Sequence, residues 1–166
     1  SEHLFIKNMG HHLIDMNVSF LADWTNVFLV RDPKQLIASF AEVIPNPKMQ
    51  DIALQRQAEI FDIITDMTGQ SPIVIDSNEV LKDPPKILQK VCDQVGITFD
   101  ETMLTWEPNE PVVDVPWAKY WYANVQRSSG FQKQKTSSRP LPDRCRPLYE
   151  SALPFYQKLS KNAIRA

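Results

Sequence analysis

The stretch NVFLVRDPKQLIASF, residues 26–40, joins a short apolar run to the start of a helical pattern. The run VFLV has no polar alternation, which is typical of a strand covered on both faces in a parallel sheet. Asp32 is a favourable N-cap residue, and Pro33 suits the first position of a helix. The stretch therefore predicts a strand followed at once by a helix, with Arg31 at the junction.

Similar patterns occur on both sides of this stretch. LFIK at 4–7 and PIVID at 72–76 are further apolar runs without alternation, and we predict that both are strands. Segments with helical periodicity separate or follow the runs, at 33–44, about 50–68, 84–95 and about 142–164. Strands that alternate with helices predict an α/β fold, here a three-layer one with a mainly parallel sheet flanked by helices.

The composition indicates one domain over residues 1–166. With 166 residues, 43% of them hydrophobic, the chain is long enough for a single core. Its charge is unevenly divided, because residues 1–118 carry 8 Lys/Arg against 18 Asp/Glu (−10), whereas residues 119–166 carry 10 against 2 (+8). We expect 119–166 to form a basic extension that packs back on the domain, either as a binding surface for an anion or as a solvated cationic tail.

The sequence shows no sign of a membrane or disulfide-stabilised protein. No apolar run approaches the roughly 18 residues of a membrane span, and no secretory signal pattern opens the chain. Cys92 and Cys145 are too few for a disulfide framework and lack metal-site spacing. We therefore expect a soluble, cytoplasmic protein with two free thiols, no metal and no membrane partner.

Arg31 and Ser39 form a candidate phosphate site. Ligands of open α/β sheets bind beyond the carboxyl ends of the strands, where Arg31 is predicted to lie. Ser39 falls at the border between the apolar and polar faces of the predicted helix, and the start of that helix offers free N–H groups. Arginine, serine and a helix N-terminus together favour a phosphate. The alternative is an ordinary capped helix whose Arg31 pairs with a local carboxylate.

Arg-Asp-Pro with a serine eight residues after the arginine resembles the 3′-phosphate-binding segment of sulfotransferases that use 3′-phosphoadenosine 5′-phosphosulfate (PAPS). VIDSNEVLKDPPKILQKVCDQVGITFDETML, residues 74–104, is similar to the family's strand, acidic turn, Lys-Asp-Pro and helix. LFIKNMGHHL, residues 4–13, is similar to the strand before its active site. The resemblance implies a P-loop-NTPase-like fold. It also implies an enzyme that transfers a sulfuryl group from PAPS to a hydroxyl or amine of a small molecule and that has no nucleic-acid partner.

The resemblance also implies roles for individual residues. Lys7 corresponds to the lysine that stabilises charge on the oxygen between the sulfuryl group and the leaving phosphate. The family's general base usually follows two residues later, at Met9 here, so that His11 and His12 are the nearest substitutes.

For the cofactor, the resemblance implies that Arg31 and Ser39 hold the 3′-phosphate. A basic, glycine-containing loop of the family corresponds loosely to four consecutive residues: Arg127, Ser128, Ser129 and Gly130.

The family's phosphosulfate-binding loop has no counterpart in this sequence. The four glycines lie at 10, 69, 96 and 130, and no GxxxxGK[ST] motif occurs. We therefore expect the C-terminal two-thirds of a sulfotransferase domain, with a fused or neighbouring domain supplying the missing N-terminal residues, or a relative that lost the loop. Two alternatives are a non-catalytic sulfotransferase-like module for nucleotide binding or docking, and a fragment of a P-loop nucleotide phosphotransferase.

Overall fold

A computed structural model describes residues 3–108, 127–132 and 139–166. The chain divides into two compact units. The first unit comprises Ser1–Asp76 and Arg139–Ala163, and the second comprises Ser77–Ser138 and Ile164–Ala166. The predicted single domain with a basic extension over 119–166 stays a prediction, and residues 119–126 and 133–138 of that extension lie outside the described residues.

A small parallel sheet forms in the first unit. Strand β1 (Val27–Val30) pairs with β2 (Ile73–Asp76), so that Val27 lies opposite Ile73 and Val30 opposite Asp76. Two of the predicted strands and their parallel pairing are thus confirmed. The described residues are rich in helices and include this small two-stranded sheet, which makes the structure α/β, and the larger three-layer arrangement stays a prediction.

The predicted strand at residues 4–7 is wrong. These residues have no regular secondary structure, and the side chains of Leu4 and Phe5 are 86% and 87% exposed. A strand needs a neighbour to bond its N–H and C=O groups. Residues 4–7 find no such neighbour within the described part of the chain.

The described ranges contain six α-helices: α1 (Pro33–Phe40), α2 (Met49–Ile52), α3 (Leu54–Thr68), α4 (Ser77–Lys82), α5 (Pro84–Val95) and α6 (Arg146–Lys161). The helix predicted at 50–68 is split because Ala53 adopts the left-handed conformation, with φ 54°. Gly69 ends α3 with φ 70°, as a C-cap glycine does. Local patterns thus gave the positions of these helices except α4, which was not predicted, and the break at Ala53 has no local signal.

Three buried clusters form the core of the first unit. Val30, Val74 and Leu159 belong to the cluster that joins the sheet to α6. Ile37 belongs to a second cluster, which is shared by α1, α3 and α6. Leu13 belongs to a third cluster, which packs the N-terminal segment on α3. Together these clusters fix the residues that precede β1, and the start of α1, against α3 and α6.

The second unit contains α4 and α5. Helix α5 spans the residues predicted for it, is capped by the Asp83 side chain and ends at Gly96 with φ 79°. Helix α4 replaces the turn expected after β2. The carboxylate of Glu79 accepts hydrogen bonds from Lys82 and from the N–H of Ala166, so the end of the chain is held against α4.

Both cysteines, Cys92 and Cys145, are free and buried. Among the residues that the structure describes, no helix is both long enough and apolar enough to cross a bilayer. No cluster of three or more His, Cys, Asp or Glu side chains in these ranges is arranged to hold a metal ion.

Candidate functional site

Arg31 lies directly after β1, at the carboxyl end of the parallel sheet. The neighbouring strand β2 ends at the same edge with Asp76, which is opposite Val30. Tyr156 donates a hydrogen bond of 2.7 Å to the buried Asp76 carboxylate. The sheet edge therefore carries a half-buried arginine on one strand and a buried, hydrogen-bonded acid on the next.

The first turn of α1 has no N–H group left for a ligand. Asp32 Oδ1 accepts from the N–H groups of Lys34 at 2.7 Å and Gln35 at 3.4 Å. The Leu36 N–H bonds to the Asp32 carbonyl oxygen at 3.0 Å, and Pro33 has no N–H. The predicted contribution of the helix N-terminus to anion binding is therefore wrong, since the cap carboxylate already satisfies those donors.

Arg31 itself lacks a dedicated counter-ion. Within residues 3–108, 127–132 and 139–166 its guanidinium forms no salt bridge and no hydrogen bond. Burial lowers the pKa of Arg31, the Asp32 carboxylate raises it, and the positive charge of Arg139 lowers it. Arginine nevertheless remains charged at neutral pH. The junction after β1 thus holds a partly desolvated cation close to a second cation, which is an environment that an anion would stabilise.

Ser39 lies in the last turn of α1 and is half-buried. Its hydroxyl makes no hydrogen bond to the part of the protein that is described. Ser39 is about 9 Å along the helix axis from Pro33, at 1.5 Å per residue. A ligand group that contacts both Arg31 and Ser39 must therefore lie along the flank of α1, not at its end.

A short 3₁₀ turn, Gly10–Leu13, carries both histidines and is called the histidine turn below. Three contacts fix it against the α2–α3 junction. Leu13 is buried, and its carbonyl oxygen accepts hydrogen bonds from Arg56 Nε at 3.0 Å and Nη2 at 2.7 Å. Gly10 approaches Ala53 so closely that a Cβ on Gly10 would lie 2.9 Å from the Ala53 Cβ.

The two histidines differ in the state of their ring nitrogens. His12 Nδ1 accepts a hydrogen bond of 3.4 Å from the N–H of Met9, which occupies its lone pair. The His11 ring contacts the His12 ring edge-on, with centroids 4.5 Å apart, and has no hydrogen bond in the described part of the chain. Of the two rings, His11 is therefore the one without a hydrogen-bond partner within the described residues, and it is the better candidate for a base. Lys7 is exposed in the irregular segment before the turn.

The four residues Arg127–Gly130 lie in the second unit. There the Ser129 carbonyl oxygen accepts from the Trp106 N–H, and the Ser128 hydroxyl accepts from the Trp106 indole, each at 3.1 Å. Gly130 pairs with Thr105, and a Cβ on Gly130 would lie 3.0 Å from the Leu104 carbonyl oxygen. Two of the four residues thus bond to Trp106, Gly130 lies against the two residues that precede Trp106, and Arg127 is exposed. Their cofactor-binding role stays a prediction.

Sequence reasoning missed Gln57. Its Oε1 atom is buried and has no hydrogen-bond partner among the described residues, and its Nε2 lies 3.5 Å from the Leu29 carbonyl oxygen. The Gln57 Cγ would be 3.4 Å from a Cβ on Gly10. Gln57 therefore connects the histidine turn to β1, which ends beside Arg31. No local pattern marks it, because a glutamine within a helix is ordinary.

The site can be compared with known proteins. The family model described as "Sulfotransferase domain" matches residues 1–163. A "Branched-chain-amino-acid aminotransferase-like protein 1" of Arabidopsis thaliana is 34% identical over 131 residues, 79% of this chain and 23% of that protein. "Branched-chain-amino-acid aminotransferase-like protein 2" of the same plant is 28% identical over 156 residues, 93% of this chain and 28% of that protein.

The chain spans about a quarter of the length of these curated relatives. No solved structure matches it. The family match covers the histidine turn, the Arg31 junction and all six described helices. The chain therefore belongs to the sulfotransferase domain family.

Proposed function

We propose that this domain binds PAPS and takes part in transfer of its sulfuryl group to a hydroxyl or amine of a small acceptor. The observation that supports this most directly is the state of Arg31. It is half-buried at the carboxyl edge of the sheet, and Asp32, the nearest acid in the chain, is engaged in capping α1. A cation that is partly desolvated but not paired suits an anionic ligand.

The residues at this edge fit the 3′-phosphate of the cofactor. Arg31 would supply charge and paired N–H donors, and Ser39 would supply one hydroxyl donor from the flank of α1. Arg139 adds a second positive charge whose effect reaches Arg31.

PAPS, when bound, supplies an activated sulfuryl group on an anhydride oxygen. In the proposed reaction His11 would accept the proton that the hydroxyl or amine of the acceptor gives up. Lys7 would supply positive charge to the phosphate oxygen that leaves the sulfuryl group. Arg56 positions the histidine turn through the Leu13 carbonyl, so it acts on the reaction only through His11.

We propose that the 5′-phosphosulfate is held by residues outside this sequence, in a fused or neighbouring domain. The sequence has no clustered glycines and no phosphate-binding loop motif. The matched relatives are about four times as long as the matched region, which leaves room for such a segment in proteins of this kind. The same proposal includes the larger P-loop-type, three-layer sheet, to which β1 and β2 would contribute.

Calorimetry with 3′-phosphoadenosine 5′-phosphate tests the 3′-phosphate site. We expect Arg31→Ala to weaken binding by about 2 to 4 kcal/mol, the cost of truncating one member of a buried charged contact. This corresponds to about 30- to 900-fold in Kd. Lys34→Ala is the matched control, because Lys34 is an exposed cation three residues away and should change affinity little.

A second ligand makes the test specific for the 3′-phosphate. Adenosine 5′-phosphate, which lacks that group, should bind the natural protein more weakly than the bisphosphate does. In Arg31→Ala this difference should shrink, because the contact that creates it is lost. Equal affinity of Arg31→Ala and the natural protein for the bisphosphate would remove the assignment of Arg31.

A second candidate function is a non-catalytic module that binds the nucleotide or docks to a partner domain. Met9 at the family's usual base position favours it, as does the aminotransferase-like naming of the relatives. His11→Gln distinguishes the two functions in a full-length protein that contains this domain. If the domain is catalytic, His11→Gln should abolish sulfuryl transfer and retain the affinity for the nucleotide. If it is a binding module, neither the natural protein nor the variant should transfer a sulfuryl group.

A further inference from the structure

A cavity of about 390 Å³ lies beside the histidine turn, within the first unit. Its walls include Ala53, against which Gly10 packs, and Arg56, whose guanidinium holds the Leu13 carbonyl. The cavity and the histidine turn therefore share the same two supporting residues. Its volume is within the range of cavities that bind small molecules.

Two of the charged residues in the cavity wall neutralise each other. Arg56 Nη1 lies 3.3 Å from Glu59 Oε2, and the other Glu59 oxygen accepts from Gln55 Nε2 at 3.0 Å. The remaining Arg56 donors Nε and Nη2 bind the Leu13 carbonyl. These groups therefore support the wall and are not available to a ligand.

Two other charged residues in the wall, Lys48 and Asp15, are available. Neither the Lys48 ammonium nor the Asp15 carboxylate forms a salt bridge or side-chain hydrogen bond to any residue that the structure describes. They are not paired with each other either. The rest of the wall includes the apolar side chains of Ile14, Met49 and Ala53 and the polar side chain of Gln50.

We propose that this cavity binds a zwitterion: a small molecule with one carboxylate and one ammonium group on a short apolar skeleton. Lys48 would contact the carboxylate and Asp15 the ammonium, while Ile14 and Met49 cover the skeleton. Because the cavity adjoins the turn that bears His11, we assign it as the acceptor site. That role rests on the proposed function, whereas the binding of a zwitterion does not.

Three matched probes test the charge requirement: norleucine, which has both charges, hexanoate, which has only the carboxylate, and pentylamine, which has only the ammonium. Each is titrated into isotope-labelled protein while the methyl NMR signals of Ile14, Met49 and Ala53 are followed. We expect norleucine to shift these signals at millimolar concentration. Hexanoate and pentylamine should each bind about three- to fivefold more weakly, the effect of one exposed ion pair.

Two variants assign the charges to residues. With Lys48→Met, norleucine should bind no better than pentylamine, and with Asp15→Asn no better than hexanoate. Lys86→Met and Asp23→Asn, exposed residues outside the cavity, are the controls and should retain the preference for norleucine. Absence of methyl shifts with norleucine, or equal binding of the three probes, would overturn the proposal.

The same samples separate this proposal from the cofactor assignment. Lys48→Met and Asp15→Asn should bind 3′-phosphoadenosine 5′-phosphate with the affinity of the natural protein. If norleucine binds as described while Arg31→Ala leaves nucleotide affinity unchanged, the cavity proposal stands and the cofactor proposal falls. If norleucine does not bind while Arg31→Ala weakens nucleotide binding, the zwitterion proposal falls and the cofactor proposal stands.

Discussion

The contact between Gly10 and Ala53 gives a quantitative prediction for Gly10→Ala. The new Cβ would lie 2.9 Å from the Ala53 Cβ and 3.5 Å from the Ala53 carbonyl oxygen. Carbon atoms in favourable contact are about 3.5 to 4.0 Å apart, so the histidine turn must move outward. Overpacking of this kind costs about 1 to 3 kcal/mol, and loss of glycine's freedom in the unfolded chain offsets about 0.4 to 1 kcal/mol. We expect a net loss of about 1 to 2 kcal/mol.

Ala53→Gly should relieve the strain of Gly10→Ala. Removal of the Ala53 methyl group opens the space that the new Cβ needs, and the φ of 54° at Ala53 suits glycine. On its own Ala53→Gly should be near neutral. Relief of about 1 to 2 kcal/mol of left-handed strain is balanced by the loss of a buried methyl, about 0.8 kcal/mol, and by glycine's entropy.

Urea denaturation of the natural protein, the two single variants and the double variant gives the coupling energy. We expect at least about 1 kcal/mol of positive coupling, and ring NMR signals of His11 and His12 that shift in Gly10→Ala and return in the double variant. Ala58→Gly, a buried alanine of α3 that does not contact Gly10, is the control and should be additive with Gly10→Ala. Additivity within about 0.5 kcal/mol for Gly10→Ala and Ala53→Gly would refute the contact.

Two further variants test buried polar groups. Gln57→Leu should raise the free energy of unfolding by up to about 1 kcal/mol, because it removes a buried Oε1 without a partner, while the loss of the long 3.5 Å hydrogen bond from Nε2 to the Leu29 carbonyl oxygen offsets part of the gain. A loss of stability would contradict this, and Gln94→Leu, at an exposed position of α5, is its control. For Glu79, the hydrogen bond from Lys82, the Ala166 N–H and the nearby positive charges lower the pKa below its ordinary 4.5, although burial raises it. The resulting stabilisation is present above pH 4.5 and is lost as the pH falls through the folded pKa, so Glu79→Gln should show a shallower acid loss in urea denaturation. Matching acid profiles for Glu79→Gln and the natural protein would disprove that role, and Glu101→Gln, an exposed acid, is the control.

Interactions close in sequence made much of the fold predictable. The strand VFLV, the cap at Asp32 and the start of α1 at Pro33 lie where the sequence predicts them. Helix α5 likewise runs from Pro84, after its Asp83 cap, to the residue before Gly96. Caps, prolines and left-handed glycines act within one turn of the chain, so their effect can be read without knowledge of the fold.

The state of Arg31 was not predictable in the same way. The sequence left open whether a local acid neutralises it, and only the structure shows that Asp32 bonds to the backbone of α1 instead. The same bonds exclude the helix N-terminus from the candidate anion site. When a side chain has two available partners, the geometry of the folded chain decides which one it bonds to, and the order of residues does not specify that geometry.

The sequence by itself determined most of the local elements and the positions along the chain of the candidate site residues Lys7, His11 and Arg31. Tertiary structure alone decided which residues support and surround them. Arg56 reaches Leu13 across 43 positions, and Gly10 packs on Ala53 across a similar span. It also decided against a strand at 4–7, since strands form only where a neighbour supplies hydrogen bonds. Contacts between distant residues depend on how the whole chain packs, and no local pattern encodes them.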